Sequence, residues 1–377
     1  MPLEKQWSFE DSAIWKLKLR LQFSGWLQYV IHAIWVFTLL IISGIGWLIG
    51  YWQVILFWLP LGLATLLSIA LVGTIVIVKY GLHPTERIPA NKNDLDAFDL
   101  MRSRQSCRSF QSRNLTAEHH AELLKVVQFH SKQSQLLGQK PIRFEYVNAA
   151  LTVWPVVGAH EFLVAIAPRE YNRLSIIDVG RSLHKIVIQA TRMGVATCWI
   201  GPGADNNSIM QHLGNKIDPT KDHVICVCAI GYESMYKPLF IRLFNRLMHK
   251  RLPLSELFFS DPSFKTPLNT ESSPYSHYGR CYEVCQWSPS SYNGQTTRCG
   301  AVTEHIDGKE KLIRFDFCSS TTSRYYAAVA LGIWCANWET GCAALNRRGH
   351  FSVLSSKERA FETGPELPRY DISWIVD

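Results

Sequence analysis

Gly194-Val195-Ala196-Thr197-Cys198-Trp199-Ile200-Gly201 packs a helix stop, a short apolar strand and a terminal glycine into one stretch. Before it, Val179, Leu183, Ile186, Val187 and Ala190 fall at helical spacing, which predicts a core or interface helix over Val179–Met193. Asp178 stands where its N-cap is expected, and Gly194 supplies the left-handed stop. Gly201 ends the strand where a ligand can approach bare backbone, although a tight core connection accounts for the same residues.

Outward from this unit, helices and strands mix. Leu95–Arg104 reads as a helix with Phe98 and Met101 inward, and Thr116 as the N-cap of a helix running to about His130. Arg143–Asn148, Glu161–Ala167 and His223–Ile230 read as strands. Ser, Pro, Asn and Thr dominate Ser255–His277, a connection between halves of about 93–260 and 270–377. The second half offers a helix near Tyr278–Trp287, strands near Arg298–His305 and Leu312–Cys318, a helix near Ser323–Trp334 and a closing strand, Ile372–Val376. No short-period repeat is visible. The mixed order predicts an α+β fold and argues against a doubly wound parallel sheet.

Residues 1–92 form a separate segment and linker. Leu21–Val78 contains no Asp, Glu, Lys or Arg. Val30–Ile49 and Val54–Val78 each reach the ~20 apolar residues that a membrane span requires, with Gly50–Gln53 as the turn and Pro60 marking a late start for the second helix. The stretch far exceeds a signal-peptide core. Lys16, Lys18 and Arg20 precede the pair, Lys79, Arg87 and Lys92 follow it, and the turn is uncharged. By the positive-inside rule both ends and the rest of the chain face the cytosol, with membrane lipid as a partner. The alternating basic and apolar residues of Trp15–Leu21 suit an anionic membrane face.

The net charge of +8 does not point to nucleic acid, because no zinc-finger spacing, RNA-binding signature or long basic run accompanies it. Ten scattered cysteines in a cytosolic chain argue against a disulfide framework. Cys226 and Cys228 alternate within a strand as core residues, whereas Cys281, Cys285 and Cys299 make only a weak zinc arrangement.

Two polar clusters remain. Arg102, Arg104 and Arg108, with Ser103 and Ser106 between them, offer forked donors suited to phosphate, although such a cluster taken alone is more often a solvated surface. Ser288-Pro289-Ser290-Ser291-Tyr292-Asn293-Gly294-Gln295 gathers a hydroxyl and two amides in a turn, either an ordinary polar loop or donors and acceptors for a polar heterocycle.

Taken together, these stretches resemble the FMN-dependent nitroreductase superfamily. Its Arg-Arg-Ser-x-Arg-x-Phe motif is matched by Arg104-Gln105-Ser106-Cys107-Arg108-Ser109-Phe110, with Gln105 replacing one Arg. Its Ala-Pro-Ser-x-x-Asn-x-Gln motif is matched by residues 288–295, and its Gly-x-x-Thr-Cys-Trp-Ile-Gly motif by residues 194–201. Arg251 matches a later phosphate ligand, while His249 replaces the family's Lys and Thr296-Thr297 replace its Pro-Trp. The motif order is rearranged, because the family places its Asn motif before its Cys-Trp motif.

Family members form intertwined homodimers with FMN at the interface. The resemblance, which covers most of Leu95–Asp377 and none of the membrane segment, therefore implies an intrachain pseudo-dimer, monomeric and holding one FMN, which the two transmembrane helices expected from the apolar stretch precede. Arg104, Ser106, Arg108, Ile200, Gly201 and Arg251 from the first half, and Ser290, Asn293 and Gln295 from the second, would bind that FMN. It further implies electron passage from NAD(P)H through flavin to a small-molecule acceptor such as a nitroaromatic or quinone, with no dedicated acid or base. Trp154, Trp199 and Tyr292 are candidates for the acceptor pocket or ordinary core. The rival readings are a same-fold dehalogenase or substrate oxidase, and a non-catalytic membrane scaffold.

Overall fold

Backbone N–H and C=O groups kept from water must be paired, and a helix pairs them within one segment. The computed structural model describes residues 12–23, 25–201, 203–306, 308–360 and 368–377; residues 1–11 of the expected N-terminal segment lie outside these. α1 (Ala13–Phe23) leads into α2 (Leu27–Ile49), and α3 (Leu59–Thr74) is extended by a wider turn at each end into one helix, Val54–Lys79. α2 and this extended helix are both long and apolar enough to cross a membrane. They pack as a hairpin in which Ser43 Oγ donates to the Phe57 carbonyl at 3.0 Å. A Cβ on Gly46 would lie 2.3 Å from the Leu56 carbonyl oxygen. Pro60 does not delay the second helix, contrary to the sequence expectation. The wider turn Val54–Trp58 lies just before Pro60, and its altered hydrogen-bond spacing accommodates the missing N–H within the continuous helix.

The remainder of the chain contains one pattern twice. The first copy is α4 (Ala97–Ser103), α5 (Ala117–His130), β1 (Arg143–Asn148), β2 (Glu161–Pro168), α6 (Arg173–Arg192), β3 (Ala196–Ile200), α7 (Asn206–Leu213) and β4 (Asp222–Gly231). After α8 (Leu239–Leu247) and β5 (Phe258–Phe259) come α9 (Cys281–Gln286), β6 (Thr297–Ile306), β7 (Lys309–Ser319), α10 (Tyr326–Ala344), β8 (Gly349–Ser352), α11 (Ser356–Arg359) and β9 (Arg369–Val376). The sheets run β1-β2-β4-β3 and β6-β7-β9-β8, antiparallel throughout, with β5 added parallel to β6. In both copies a long helix follows the second strand and a short helix joins the third to the fourth. This is an α+β intrachain pseudo-dimer.

α6 and α10 are the corresponding helices of the two copies, and they pack directly against each other. A Cβ on Gly180 would lie 2.2 Å from the Val329 carbonyl oxygen, and one on Gly332 2.0 Å from that of Ile177. Arg181 and Lys185 on α6 each reach Glu339 on α10 at 2.8 Å, which ties the charged edge of the seam. In the second half Trp338 is fully buried, stacked on Tyr278 at 5.3 Å and edge-on to Phe315 at 4.7 Å. Rings packed this way bury large apolar areas and add directional contacts.

Asp178 is not the cap of α6. The helix begins one and a half turns earlier, with Asn172 accepting from the Ser175 N–H. Asp178 instead lies inside the helix and accepts from the N–H groups of Leu137 and Gly138, both at 2.8 Å. Burial raises its pKa above the ordinary carboxylate value, and those two donors oppose the shift. Thr116 does cap α5, accepting from His119 N–H at 3.2 Å.

Candidate functional site

Arg104 leaves the end of α4 in extended conformation. From there the chain lies along β3: Ser106 bridges Thr197, and Cys107 N–H donates to the Thr197 carbonyl at 2.9 Å. The strand that stood at the centre of the sequence pattern therefore carries the first arginine motif on its edge. Ser106 is placed by this backbone pairing alone, and Cys107 packs down into the core.

Arg104 is 9% exposed, and its Nη1 is buried with no hydrogen-bond partner. Burial lowers its pKa to about 10, and the positive charges of Arg251 and then Arg108 push in the same direction. Arg251 Nε is likewise buried and unpartnered. Arg108 Nη1 donates to Asn245 Oδ1 on α8 at 2.6 Å. Three guanidinium groups thus share a partly desolvated neighbourhood, an arrangement that costs free energy until an anion enters it.

Arg102, which the sequence grouped with them, is diverted. Its Nε pairs with Glu283 at 2.8 Å, and its guanidinium lies 3.8 Å from the Trp287 ring centroid. Arg251 contacts the same indole at 5.1 Å.

The loop from Ser290 to Gln295 belongs to the second half and closes on this group. Arg251 Nη1 donates to Asn293 Oδ1. Leu252 N–H donates to Gln295 Oε1 at 2.8 Å, and Asn293 Nδ2 to the Lys250 carbonyl at 2.7 Å. Ser290 Oγ accepts from Gln295 N–H at 2.9 Å. Tyr292, Asn293 and Gln295 have φ of 51°, 55° and 45°, a cluster of left-handed non-glycine residues that persists only where surrounding bonds hold it.

Ile200 is buried at the end of β3, and beyond it a Cβ on Gly201 would meet the Tyr326 ring at 3.2 Å. Tyr326 opens α10, so this glycine also stands where the halves meet. A small recess, with room for little more than one water molecule, lies beside the loop, lined by Ser288, Ser290, Gln295, Ala330 and Trp334. The Trp199 and Trp334 indole N–H groups and Thr197 Oγ1 are buried without partners. Tyr292 is 75% exposed, and Trp154 packs against Phe240 of α8 with centroids 6.0 Å apart.

The sequence reading missed one buried polar chain. His184 on α6 shares a hydrogen bond of 3.0 Å with Asn337 on α10, and Asn337 Nδ2 donates to Ser288 Oγ at 2.8 Å. Because Asn337 Nδ2 is donating, its Oδ1 is the acceptor, which makes His184 Nε2 the donor and leaves Nδ1 without a proton. Burial and then Arg104 lower the His184 pKa to about 3. Neither residue stands in a recognisable motif. Asn245 was missed because α8 was not expected as a helix. All ten cysteines are free and buried. Burial raises the Cys198 thiol pKa, which argues against a nucleophile. Among the described residues, no group of His, Cys, Asp or Glu is arranged to hold a metal.

A family model described as "Putative TM nitroreductase" matches residues 96–333. The chain belongs to this nitroreductase family. The match reaches into both halves, and includes the whole 288–295 loop and the first two turns of α10. A solved nitroreductase from Thermotoga maritima is 15% identical, aligned over 78% of this chain and 99% of its own, with a TM-score of 0.44. A nitroreductase with bound FMN from Bacteroides fragilis is 14% identical over 37% of this chain and 89% of its own, TM-score 0.31. An FMN-dependent nitroreductase from Clostridium difficile is 22% identical over 37% and 88%, TM-score 0.30. No curated protein matches the chain.

Proposed function

We propose that the protein is a membrane-anchored FMN-dependent oxidoreductase. It would pass electrons from NADH or NADPH to a small organic acceptor of the nitroaromatic or quinone class. The observation that carries this reading is the buried, unpartnered Nη1 of Arg104 beside Arg251 and Arg108, closed over by Asn293 and Gln295 from the other half.

The residues fit FMN. Arg104, Arg108 and Arg251 would take the phosphate, with the Ser106 hydroxyl nearby in sequence and the forked donors supplying charge-assisted hydrogen bonds. Ser290, Asn293 and Gln295 would orient the polar part of the ring system and ribityl chain, and Ile200 and Gly201 would allow close approach of the β3 end. FMN, when bound, supplies hydride and electron transfer between nicotinamide and acceptor. The chain's own part is to bind, orient and exclude water, and no side chain is assigned as acid or base.

Because the two copies within the chain imitate a dimer, the expected state is a monomer with one FMN. α2 and the Val54–Lys79 helix would cross the membrane, with Lys16, Lys18, Arg20 and Lys79 on the cytosolic side. A site held next to lipid favours an acceptor that partitions into the bilayer.

Purified full-length protein in detergent or nanodiscs tests the reading. Expected are flavin absorbance at one FMN per chain, bleaching by NADPH or NADH, and recovery on adding a quinone or nitroaromatic. Colourless protein that FMN does not reconstitute would overturn it, and two flavins per chain would overturn the single-site arrangement.

A further inference from the structure

α8 is strongly amphipathic, and two of its leucines face away from the core. The inward residues are Ile241, 2% exposed, and Asn245, which receives Arg108. Leu239 and Leu243 are 48% and 55% exposed. At ~100° per residue they point ~160° away from Ile241. Arg246 lies beside them, and Arg242, exposed at the flank, donates through Nε to the Lys237 carbonyl at 3.1 Å. Two leucines flanked by two arginines on an outward helix face form an interfacial pattern, in which apolar groups sink below the headgroups and guanidinium groups stay at phosphate level.

The surroundings fix the orientation. α8 packs against α2, one of the two helices able to span a membrane. The far end of the hairpin is exposed at Trp47, Leu48, Ile49, Tyr51, Trp52 and Val54, so the contact falls toward the base of α2, where Gln28, Tyr29 and His32 are buried. That base carries Lys79, which lies 5.1 Å from the Trp26 ring centroid. From Lys237 to Ser255 the chain has five Lys or Arg and no Asp or Glu.

We infer that α8 is a lipid-binding helix that lies in the headgroup plane of an anionic bilayer, with Leu239 and Leu243 in the acyl boundary and Arg242 and Arg246 on lipid phosphates. The inference rests on the reading of α2 as a membrane span. It extends that reading to the candidate site, because α8 holds Arg108 through Asn245 and packs on Trp154 through Phe240. The bilayer would therefore support one wall of the arginine group.

Full-length protein in nanodiscs, labelled with bimane at Leu243→Cys or at Ile34→Cys, tests this with doxyl-lipid quenching. The native thiols are all buried, so the new cysteine is the reactive one. Ile34, on α2 and 57% exposed, reports the span itself. Expected is quenching at position 243 at least about two-fold stronger in discs with ~30% phosphatidylserine than in pure phosphatidylcholine. Arg242→Glu with Arg246→Glu should abolish that difference while leaving the Ile34 signal unchanged. Quenching at 34 but not at 243, or equal quenching at 243 in both lipids, would overturn the α8 assignment and leave the hairpin standing. No quenching at 34 would overturn the span and the present inference with it.

Discussion

Leu252 N–H donates to Gln295 Oε1 at 2.8 Å, joining a backbone group of the first half to a side chain of the second half's loop. Ser290, Asn293 and Gln295 hold one another and residues 250–252, so the strained φ values at Tyr292, Asn293 and Gln295 are sustained by bonds across the seam. Gln295→Ala removes an acceptor and leaves the Leu252 N–H to solvent. A net loss of ~1 kcal/mol is expected for such a bond, which raises the FMN dissociation constant about five-fold. Titration of flavin fluorescence measures it, and an unchanged constant would remove Gln295 from the site.

Arg104 should behave oppositely in the presence and absence of ligand. Its charge is buried beside Arg251 and Arg108 with one nitrogen unpartnered, so replacing it with Met relieves repulsion and desolvation. Arg104→Met is expected to stabilise the flavin-free protein by ~1–2 kcal/mol. The same change removes a charge-assisted bond of ~1.5–3 kcal/mol, raising the FMN dissociation constant ~10–100-fold. Thermal unfolding with and without FMN separates the two effects: the flavin-free midpoint rises and the FMN-induced shift shrinks. A fall in both midpoints would assign Arg104 a purely structural role.

His184 gives a pH dependence of defined sign. Its folded pKa, about 3, lies below its ordinary 6.5 because burial and Arg104 disfavour imidazolium. The unfolded chain therefore binds the extra proton first as pH falls. The stability contributed by neutral His184 is fully present above pH 6.5 and is lost between about 6.5 and 3, at up to ~1.4 kcal/mol per pH unit. His184→Asn should lower stability at pH 7 through lost packing and the lost bond to Asn337. Across that window its stability should fall less steeply than that of the parent. Parallel denaturation curves from pH 4 to 7 would show that His184 does not carry the slope.

Much of the fold was legible because local chemistry and tertiary burial agree. β1 falls on the expected Arg143–Asn148, Thr116 opens α5, and Gly194 with φ of 77° ends α6. The start of α6 was misread because Asp178 has the chemistry of a cap but spends it on the N–H groups of Leu137 and Gly138, a tertiary demand invisible in local spacing. α8 was not anticipated because its nine residues, between Pro238 and Pro253, give too short a window for a helical period to stand out. The doubled strand order left no trace as a sequence repeat, because each copy conserves a topology and not a residue pattern. The candidate site was legible where a motif stays contiguous, as from Ser290 to Gln295. It was not where partners come from separate helices, as with His184 and Asn337.

The hairpin offers a final test, because two glycines of one helix differ sharply in their surroundings. A Cβ on Gly46 would lie 2.3 Å from the Leu56 carbonyl oxygen, whereas one on Gly44 meets nothing within 4 Å. Close backbone approach is the means by which helices associate in lipid, where apolar burial gives no preference for protein over acyl chains. Gly46→Leu must therefore push α2 and its partner helix apart or rotate them, and Gly44→Leu merely adds a side chain on an open face. Spin labels at Ile34→Cys and Leu66→Cys, 57% and 66% exposed in the native residues, report the separation without disturbing the seam. The distance distribution measured in nanodiscs should broaden and lengthen in Gly46→Leu and stay at the parental value in Gly44→Leu. Equal behaviour of the two variants would mean that the helices are not held together through the Gly46 contact.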